Sequence, residues 1–122
     1  MSILVILEQS GGKWNRMSFE ALAAAQKDAQ AQNVAVEGAV LGAEIGNLAK
    51  EAAAYPLSKV HVLEHPLLSA YTADGYTSAL EQLIKSSQPG AVLFPHTYQA
   101  RDYAPKLATR LGKTLISDIV DA

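Results

Sequence analysis

Short, wholly apolar runs alternate along this chain with longer segments in which apolar residues recur every three or four positions. The runs at residues 3–7 and 91–94 are typical of strands that are buried on both faces, as the strands of parallel sheets are. The segments between the runs have the 3.6-residue period of helices that pack one face against a sheet. The pattern therefore predicts strands and helices in strict alternation.

The predicted strands are residues 3–7, 34–41, 59–64, 91–94 and 114–116. The predicted helices run from Ser18 to about Gln30, from about Glu44 to Ala54, from about Ala73 to Lys85, and from Asp102 to the helix end at Gly112. Each connection is long enough for a right-handed crossover between parallel strands. We therefore predict an α/β fold with a doubly wound, five-stranded parallel sheet in the order 3-2-1-4-5, a Rossmann-like architecture.

Helix ends and inward faces follow from the same pattern. Ser18 and Asp102 are predicted N-caps, because their side chains can accept hydrogen bonds from the first helical N–H groups. Pro105 would then stand in the first turn of the last helix, where its missing N–H costs nothing, and Gly112 would end that helix. The predicted inward residues are Phe19, Leu22, Ala23 and Ala29 in the first helix, Tyr76, Leu80, Leu83 and Ile84 in the third, and Ala104, Leu107, Ala108 and Leu111 in the last.

Composition narrows the class of protein. With 122 residues, of which 49% are hydrophobic and 18% charged, the chain fits one globular domain. A net charge of −2 without a cluster of Lys and Arg argues against nucleic-acid binding. The absence of cysteine excludes disulfides and thiolate metal sites. The first apolar run is too short for a signal peptide, and no stretch has the roughly 20 apolar residues that span a bilayer, so we expect a cytoplasmic protein without membrane insertion.

The glycines do not form a phosphate-binding motif. Gly12-Lys13 would need a glycine five residues earlier and a hydroxyl after the lysine to form a P-loop, but Leu7 and Trp14 stand there. Gly38, Gly42 and Gly46 are spaced four apart, which differs from the dinucleotide fingerprint G-x-G-x-x-G. We interpret them as turn and packing glycines.

Residues suited to catalysis or metal binding are scattered. His61 and His65 would share a metal if they lay on a helix, but on a strand they are about 13 Å apart. There is no G-x-S-x-G elbow and no assignable Ser-His-acid triad. Glu8, Glu37 and Glu64 lie on or after strands, and we interpret them as solvated strand ends. The sequence thus predicts neither catalytic residues nor a metal site.

One turn is a candidate binding site. In the predicted order the winding reverses between the first and fourth strands, so a crevice should form where residues 8–13 meet residues 95–102. His96, Thr97, Arg101 and Asp102 form the densest polar group there, at the N-terminus of a helix that favours an anion. The alternative is structural, with Asp102 as a helix cap and Arg101 paired with a surface carboxylate.

The segment RDYAPKLATRL at residues 101–111, followed by Ser117-Asp118, resembles the end of the N-terminal domain of the electron-transferring flavoprotein (ETF) alpha subunit. The likeness extends to the first strand ending in Glu8, to Leu41-Gly42, and to residues 62–66 and 71–73. It covers nearly the whole chain. The resemblance also implies the Rossmann-like fold predicted above, of the adenine nucleotide alpha hydrolase-like type.

This resemblance implies that residues 1–122 are one domain, and that the C-terminal domain, which holds FAD, is absent from the sequence. The domain itself should bind no cofactor. It would be a docking scaffold for the ETF beta subunit, in a heterodimer that carries electrons from acyl-CoA or other dehydrogenases toward a quinone reductase. It would not be an enzyme.

The beta subunit, which resembles this domain in fold, binds AMP near the turn after its fourth strand, and that turn matches residues 95–102 here. A second function class is therefore a free-standing nucleotide-binding module of the universal stress protein type. Such modules usually have a glycine-rich phosphate loop before the last strand, whereas this chain has only Gly112 in that region. A hydrolase or ligase on this fold would need a nucleophile or phosphate loop that the sequence lacks.

Overall fold

A computed structural model describes residues 2–10, 12–43, 45–55, 57–68, 70–95 and 97–111. The strands are β1 (Ser2–Leu7), β2 (Gln9–Ser10), β3 (Lys13–Trp14), β4 (Ala35–Gly42), β5 (Lys59–Glu64) and β6 (Ala91–Leu93). The helices are α1 (Arg16–Gln32), α2 (Gly46–Ala53), α3 (Ala73–Ser87) and α4 (Tyr98–Leu111), with a 3-10 turn at Pro66–Leu68.

The main sheet is parallel and has the order β5-β4-β1-β6. In the central strand β1, Ile3 pairs with Val36 on one side and with Ala91 on the other. This arrangement confirms the predicted order for the first four strands and the reversal of winding beside β1. The predicted fifth strand, residues 114–116, and the predicted helix end at Gly112 lie outside the described residues.

Helices cover both faces of the sheet, and the alternating side chains of β1 divide the core between them. Leu4 and Ile6 lie in the cluster under α3 and α4, whereas Ile3, Val5 and Leu7 lie in the cluster under α1 and α2. All six residues of β1 are buried, which explains why this strand is a wholly apolar run after Ser2.

Helix α1 begins earlier than the sequence pattern predicts. Asn15 is its N-cap, with Oδ1 accepting a hydrogen bond from the Met17 N–H at 2.8 Å. The predicted cap, Ser18, is instead buried in the first turn, so that prediction is wrong. Leu22 and Ala29 are buried as expected, but Phe19 and Ala23 face outward, because the buried face is instead completed by Ser18, Ala21 and Ala25.

Helix α4 also begins one turn early. Thr97 Oγ1 accepts a hydrogen bond from the Ala100 N–H at 3.1 Å, and the Arg101 N–H donates to the Thr97 carbonyl at 3.0 Å. Asp102 is therefore not the cap, and Pro105 lies inside the helix rather than in its first turn. Both predictions are wrong, because Thr97 can cap a helix as well as Asp102 can and comes first in the chain.

The remaining elements follow the predicted pattern closely. Strand β5 has the predicted bounds, α3 runs two residues past Lys85, and α2 is shorter than expected. The inward residues of α3 and Leu107 of α4 are buried, whereas Leu111 is only partly buried. Gly42 ends β4 with φ 157°, a backbone conformation that L side chains rarely adopt, and a Cβ there would lie 2.8 Å from Cγ2 of the buried Ile45, so the turn favours glycine. Among the helices that the structure describes, none is both long and apolar enough to cross a membrane.

Candidate functional site at the switch point

The two segments predicted to meet at the switch point do meet. Glu8 directly follows β1, and Thr97 is the residue before α4. The Thr97 hydroxyl donates a hydrogen bond to Glu8 Oε1 at 2.6 Å, across 89 residues of sequence. The crevice expected from the topology is therefore closed at this point by a direct side-chain contact.

Glu8 is also fixed to the start of α1. Its backbone N–H donates to Ser18 Oγ at 2.6 Å, and its carbonyl accepts from Ser18 Oγ and from the Asn15 N–H at 2.9 Å each. The Asn15 side-chain amide donates to Glu8 Oε2 at 3.4 Å, a long contact. One carboxylate thus contacts the capping residues of two helices, Asn15 of α1 and Thr97 of α4.

The surroundings of Glu8 disfavour its charge. Burial raises the pKa of the Glu8 carboxyl, and the hydrogen bond from Thr97 opposes this shift only in part. Glu8 is half-buried, so its interpretation as a solvated strand end is wrong. The carboxylate contacts the capping side chains of two helices, Thr97 and Asn15, which are uncharged.

Aromatic rings form the other wall of this site. The Tyr71 hydroxyl donates to Asp102 Oδ2 at 2.6 Å and lies 3.3 Å from the Gln99 carbonyl. The Tyr71 ring packs against Tyr76 with centroids 4.9 Å apart, and Tyr76 packs against Tyr103 at 5.8 Å. Burial, the Asp102 hydrogen bond and nearby negative charge raise the pKa of Tyr71 well above its usual range, and burial raises that of Tyr103, so these phenols stay neutral.

The four candidate residues separate into different roles. Thr97 caps α4 and bonds to Glu8, Asp102 accepts from Tyr71, and Arg101 is exposed on the first turns of α4. His96 lies outside the described residues. The structure therefore joins Thr97 and Asp102 to groups that the sequence did not assign to the site.

The sequence analysis missed Asn15 and Tyr71, and it placed Glu8 at the crevice only as a solvated strand end. A carboxylate directly after a wholly buried strand was the available signal for Glu8, because such a strand carries its following residue into the protein. Tyr71 lies 31 residues before Asp102, and no local pattern links the two.

His61 makes a side-chain hydrogen bond with Glu37. The distance from His61 Nε2 to Glu37 Oε1 is 2.6 Å, across the neighbouring strands β5 and β4. Burial alone would raise the pKa of Glu37, but hydrogen bonds from His61 and Ser2 and nearby positive charge lower it below its ordinary value. Glu37 is thus not a solvated strand end either. Within the part of the chain that the structure describes, no three potential metal ligands converge.

An apolar surface lies beside the same end of the sheet. The Trp14 and Phe19 ring centroids are 6.2 Å apart, and those of Phe19 and Tyr55 are 5.7 Å apart. Phe19 is 36% exposed and Tyr55 is 39% exposed. We call these three residues the aromatic patch. Exposed aromatic clusters of this kind mark interaction surfaces more often than isolated exposed residues do.

Comparison with known proteins shows which family this chain resembles. The family model of the electron transfer flavoprotein domain matches residues 3–122. The ETF subunit alpha of Thermoanaerobacterium thermosaccharolyticum is 35% identical over 116 residues, which are 95% of this chain and 35% of that protein. The ETF subunit alpha of Bacillus subtilis is 37% identical over 123 residues, which are 98% of this chain and 36% of that protein.

Two further similarities widen the comparison. The acryloyl-CoA reductase electron transfer subunit beta of Anaerotignum propionicum is 34% identical over 95% of this chain and 32% of its own length. The crystal structure of Acinetobacter baumannii MurG matches with a TM-score of 0.56 at 16% identity, over 95% of this chain and 33% of that one, which shows a shared fold alone. The chain spans about a third of the length of the curated relatives it matches. On the match across residues 3–122, the chain belongs to the electron transfer flavoprotein family, a family of electron carriers.

Proposed function

We propose that this chain is the N-terminal domain of an ETF alpha subunit and serves as a docking scaffold for the beta subunit. The observation that carries the proposal is the match over 95–98% of the chain to proteins named ETF subunit alpha. In the assembled carrier, FAD would bind to the C-terminal part of the alpha subunit. Electrons would pass from acyl-CoA or other dehydrogenases through that flavin toward a quinone reductase.

The switch-point site supports a scaffold over a nucleotide-binding module. A phosphate at the start of α4 would compete with Glu8 for the Thr97 hydroxyl, which already donates to the carboxylate at 2.6 Å. It would also meet the negative charge of Glu8 at close range, in a setting where water screens poorly. Like charges at that distance repel each other, so the universal stress protein type of function is disfavoured by a specific contact.

The aromatic patch supplies a surface on which a partner can dock. Aromatic residues are enriched at the energetic centres of protein interfaces, because each ring buries a large area at low entropic cost. Phe19 projects from α1, and Tyr55 follows α2. The two rings therefore present one continuous surface that a partner protein could cover.

The test is complex formation with the cognate beta subunit. We expect a full-length alpha subunit carrying this domain to co-purify with the beta subunit as a 1:1 heterodimer that contains FAD, as measured by light scattering and flavin absorbance. The double variant Phe19→Ser/Tyr55→Ser should weaken assembly at least tenfold. Val62→Ser is the matched control, because Val62 is an equally exposed apolar residue, at 43%, on the edge strand β5.

The outcomes separate two parts of the proposal. If the beta subunit does not bind the wild-type alpha subunit, the scaffold function is wrong. If the wild type binds but the double variant binds equally well, the function stands and the aromatic patch is not the docking surface. If Val62→Ser weakens assembly as much as the double variant does, the contact lies at the edge of the sheet instead.

A further inference from the structure

Two long helices begin beside a single carboxylate. Helix α1 has 17 residues and α4 has 14, and each starts at a capping residue that contacts Glu8. The N-terminus of a helix carries partial positive charge and several N–H groups without helical partners. Such a place can accept an anion from solution, but here the Glu8 carboxylate accepts hydrogen bonds from the capping side chains of both helices.

The surroundings of this carboxylate do not resemble those of a stabilising ion pair. Its side-chain partners among the described residues include the Thr97 hydroxyl and the Asn15 amide, both uncharged. Buried tyrosine rings lie on the other side, where burial first and the nearby charge of Glu8 second raise the pKa of Tyr76 and Tyr103. Burying a charge among neutral groups costs free energy, so the negative charge of Glu8 does not stabilise the fold.

We propose that Glu8 is an internal anion that fills the crevice between the starts of α1 and α4 and thereby excludes phosphate-bearing ligands. The carboxylate takes the Thr97 hydroxyl and the favourable field of both helices, which are the features that a phosphate would need. Its fixed charge then repels any anion that approaches. Glu8 determines the specificity of the switch point by keeping it closed, and this inference does not depend on docking to a partner.

Replacing Glu8 by glutamine tests the effect of the negative charge while the shape of the side chain stays nearly the same. Glu8→Gln keeps the length of the side chain and an oxygen that can accept from Thr97, so the packing and the principal hydrogen bond remain. The negative charge is lost, together with the acceptor of the long contact from the Asn15 side-chain amide, at 3.4 Å. Glu20→Gln is the matched control, because Glu20 is exposed on α1 and its replacement changes the net charge of the protein by the same amount.

The experiment is a titration of the wild-type protein and both variants with inorganic phosphate at constant ionic strength. Backbone amide shifts in NMR spectra give both the affinity and the location of binding. We expect Glu8→Gln to bind phosphate at least tenfold more tightly than the wild type or Glu20→Gln. The shifts should be concentrated at residues 15–18 and 97–101.

Three results would overturn the inference. Equal phosphate affinity in Glu8→Gln and Glu20→Gln would show that the charge of Glu8 does not exclude anions. Tighter binding with shifts far from both helix starts would place the anion elsewhere. Loss of the folded state in Glu8→Gln, measured by circular dichroism, would show that the carboxylate is needed for stability.

Discussion

Leu107 offers a direct test of how α4 is held to the sheet. Its side chain is fully buried, with 0% exposure, in the cluster that also contains Leu4, Phe94 and Tyr103. Leu107→Ala would remove three methylene-sized groups from this cluster and leave a cavity. Its neighbours include a central strand and two aromatic rings, which cannot easily collapse into the space.

The expected loss in the free energy of unfolding is about 2–5 kcal/mol, which combines lost transfer free energy with the cost of the cavity. Because rigid neighbours prevent collapse, we expect a value in the upper half of this range. The better helix propensity of alanine offsets only a few tenths of a kcal/mol. For a domain whose total stability is about 5–15 kcal/mol, the variant would unfold at a clearly lower urea concentration.

Urea denaturation followed by circular dichroism measures this change. The midpoint should fall while the slope stays constant, because the surface exposed on unfolding hardly changes. Leu111→Ala is the internal control, because Leu111 lies one turn later on the same helix and is only partly buried, so its loss should be less than half as large. A change below about 0.5 kcal/mol for Leu107→Ala, or one no larger than that of Leu111→Ala, would refute the packing of α4 described above.

Three further predictions concern charge, nucleotides and flavin. Glu8→Gln should stabilise the domain at neutral pH, because the raised pKa of Glu8 makes its charged form less favourable in the folded state than in the unfolded state. The gain in the free energy of unfolding should shrink as pH falls through the pKa of Glu8 in the folded state toward the ordinary pKa of a glutamate. Denaturation curves taken across pH measure this gain. In calorimetric titrations AMP and ATP should bind more weakly than about 100 µM, and Arg101→Ala should alter partner docking or local stability more than nucleotide affinity; micromolar AMP binding that Arg101→Ala abolishes would contradict both statements. The isolated domain should stay colourless after incubation with FAD and gel filtration, and a stoichiometric yellow complex would overturn the assignment of flavin to the C-terminal part.

The elements that the sequence predicts well are those with long, regular periodicity. Strand β5 and the inward face of α3 follow from local patterns, because burial on a sheet imposes spacings of two and of three to four residues. The hairpin of β2 and β3 has two residues in each strand, too few for any period. It closes through Gly12, whose φ of 82° favours glycine.

The sequence predicted where the candidate site lies but not which side chains form it. Topology alone brings the end of β1 to the start of α4, so the meeting of residues 8–13 with residues 95–102 could be foreseen. Which side chain enters the crevice depends on where the helices begin, and both starts were displaced by earlier caps, at Asn15 and Thr97. Choosing among several capping residues depends on tertiary contacts such as the bond from Thr97 to Glu8.

The position of β1 in the sheet has a consequence for how the protein is made. This strand is synthesised before either of its neighbours, yet it lies inside the sheet and pairs with both β4 and β6. Its second partner is synthesised about 90 residues later, which takes roughly 4–18 s at ordinary translation rates. Until β6 emerges, this apolar strand has at least one edge without its native partner, and we expect the nascent chain to offer a binding site to chaperones over that interval.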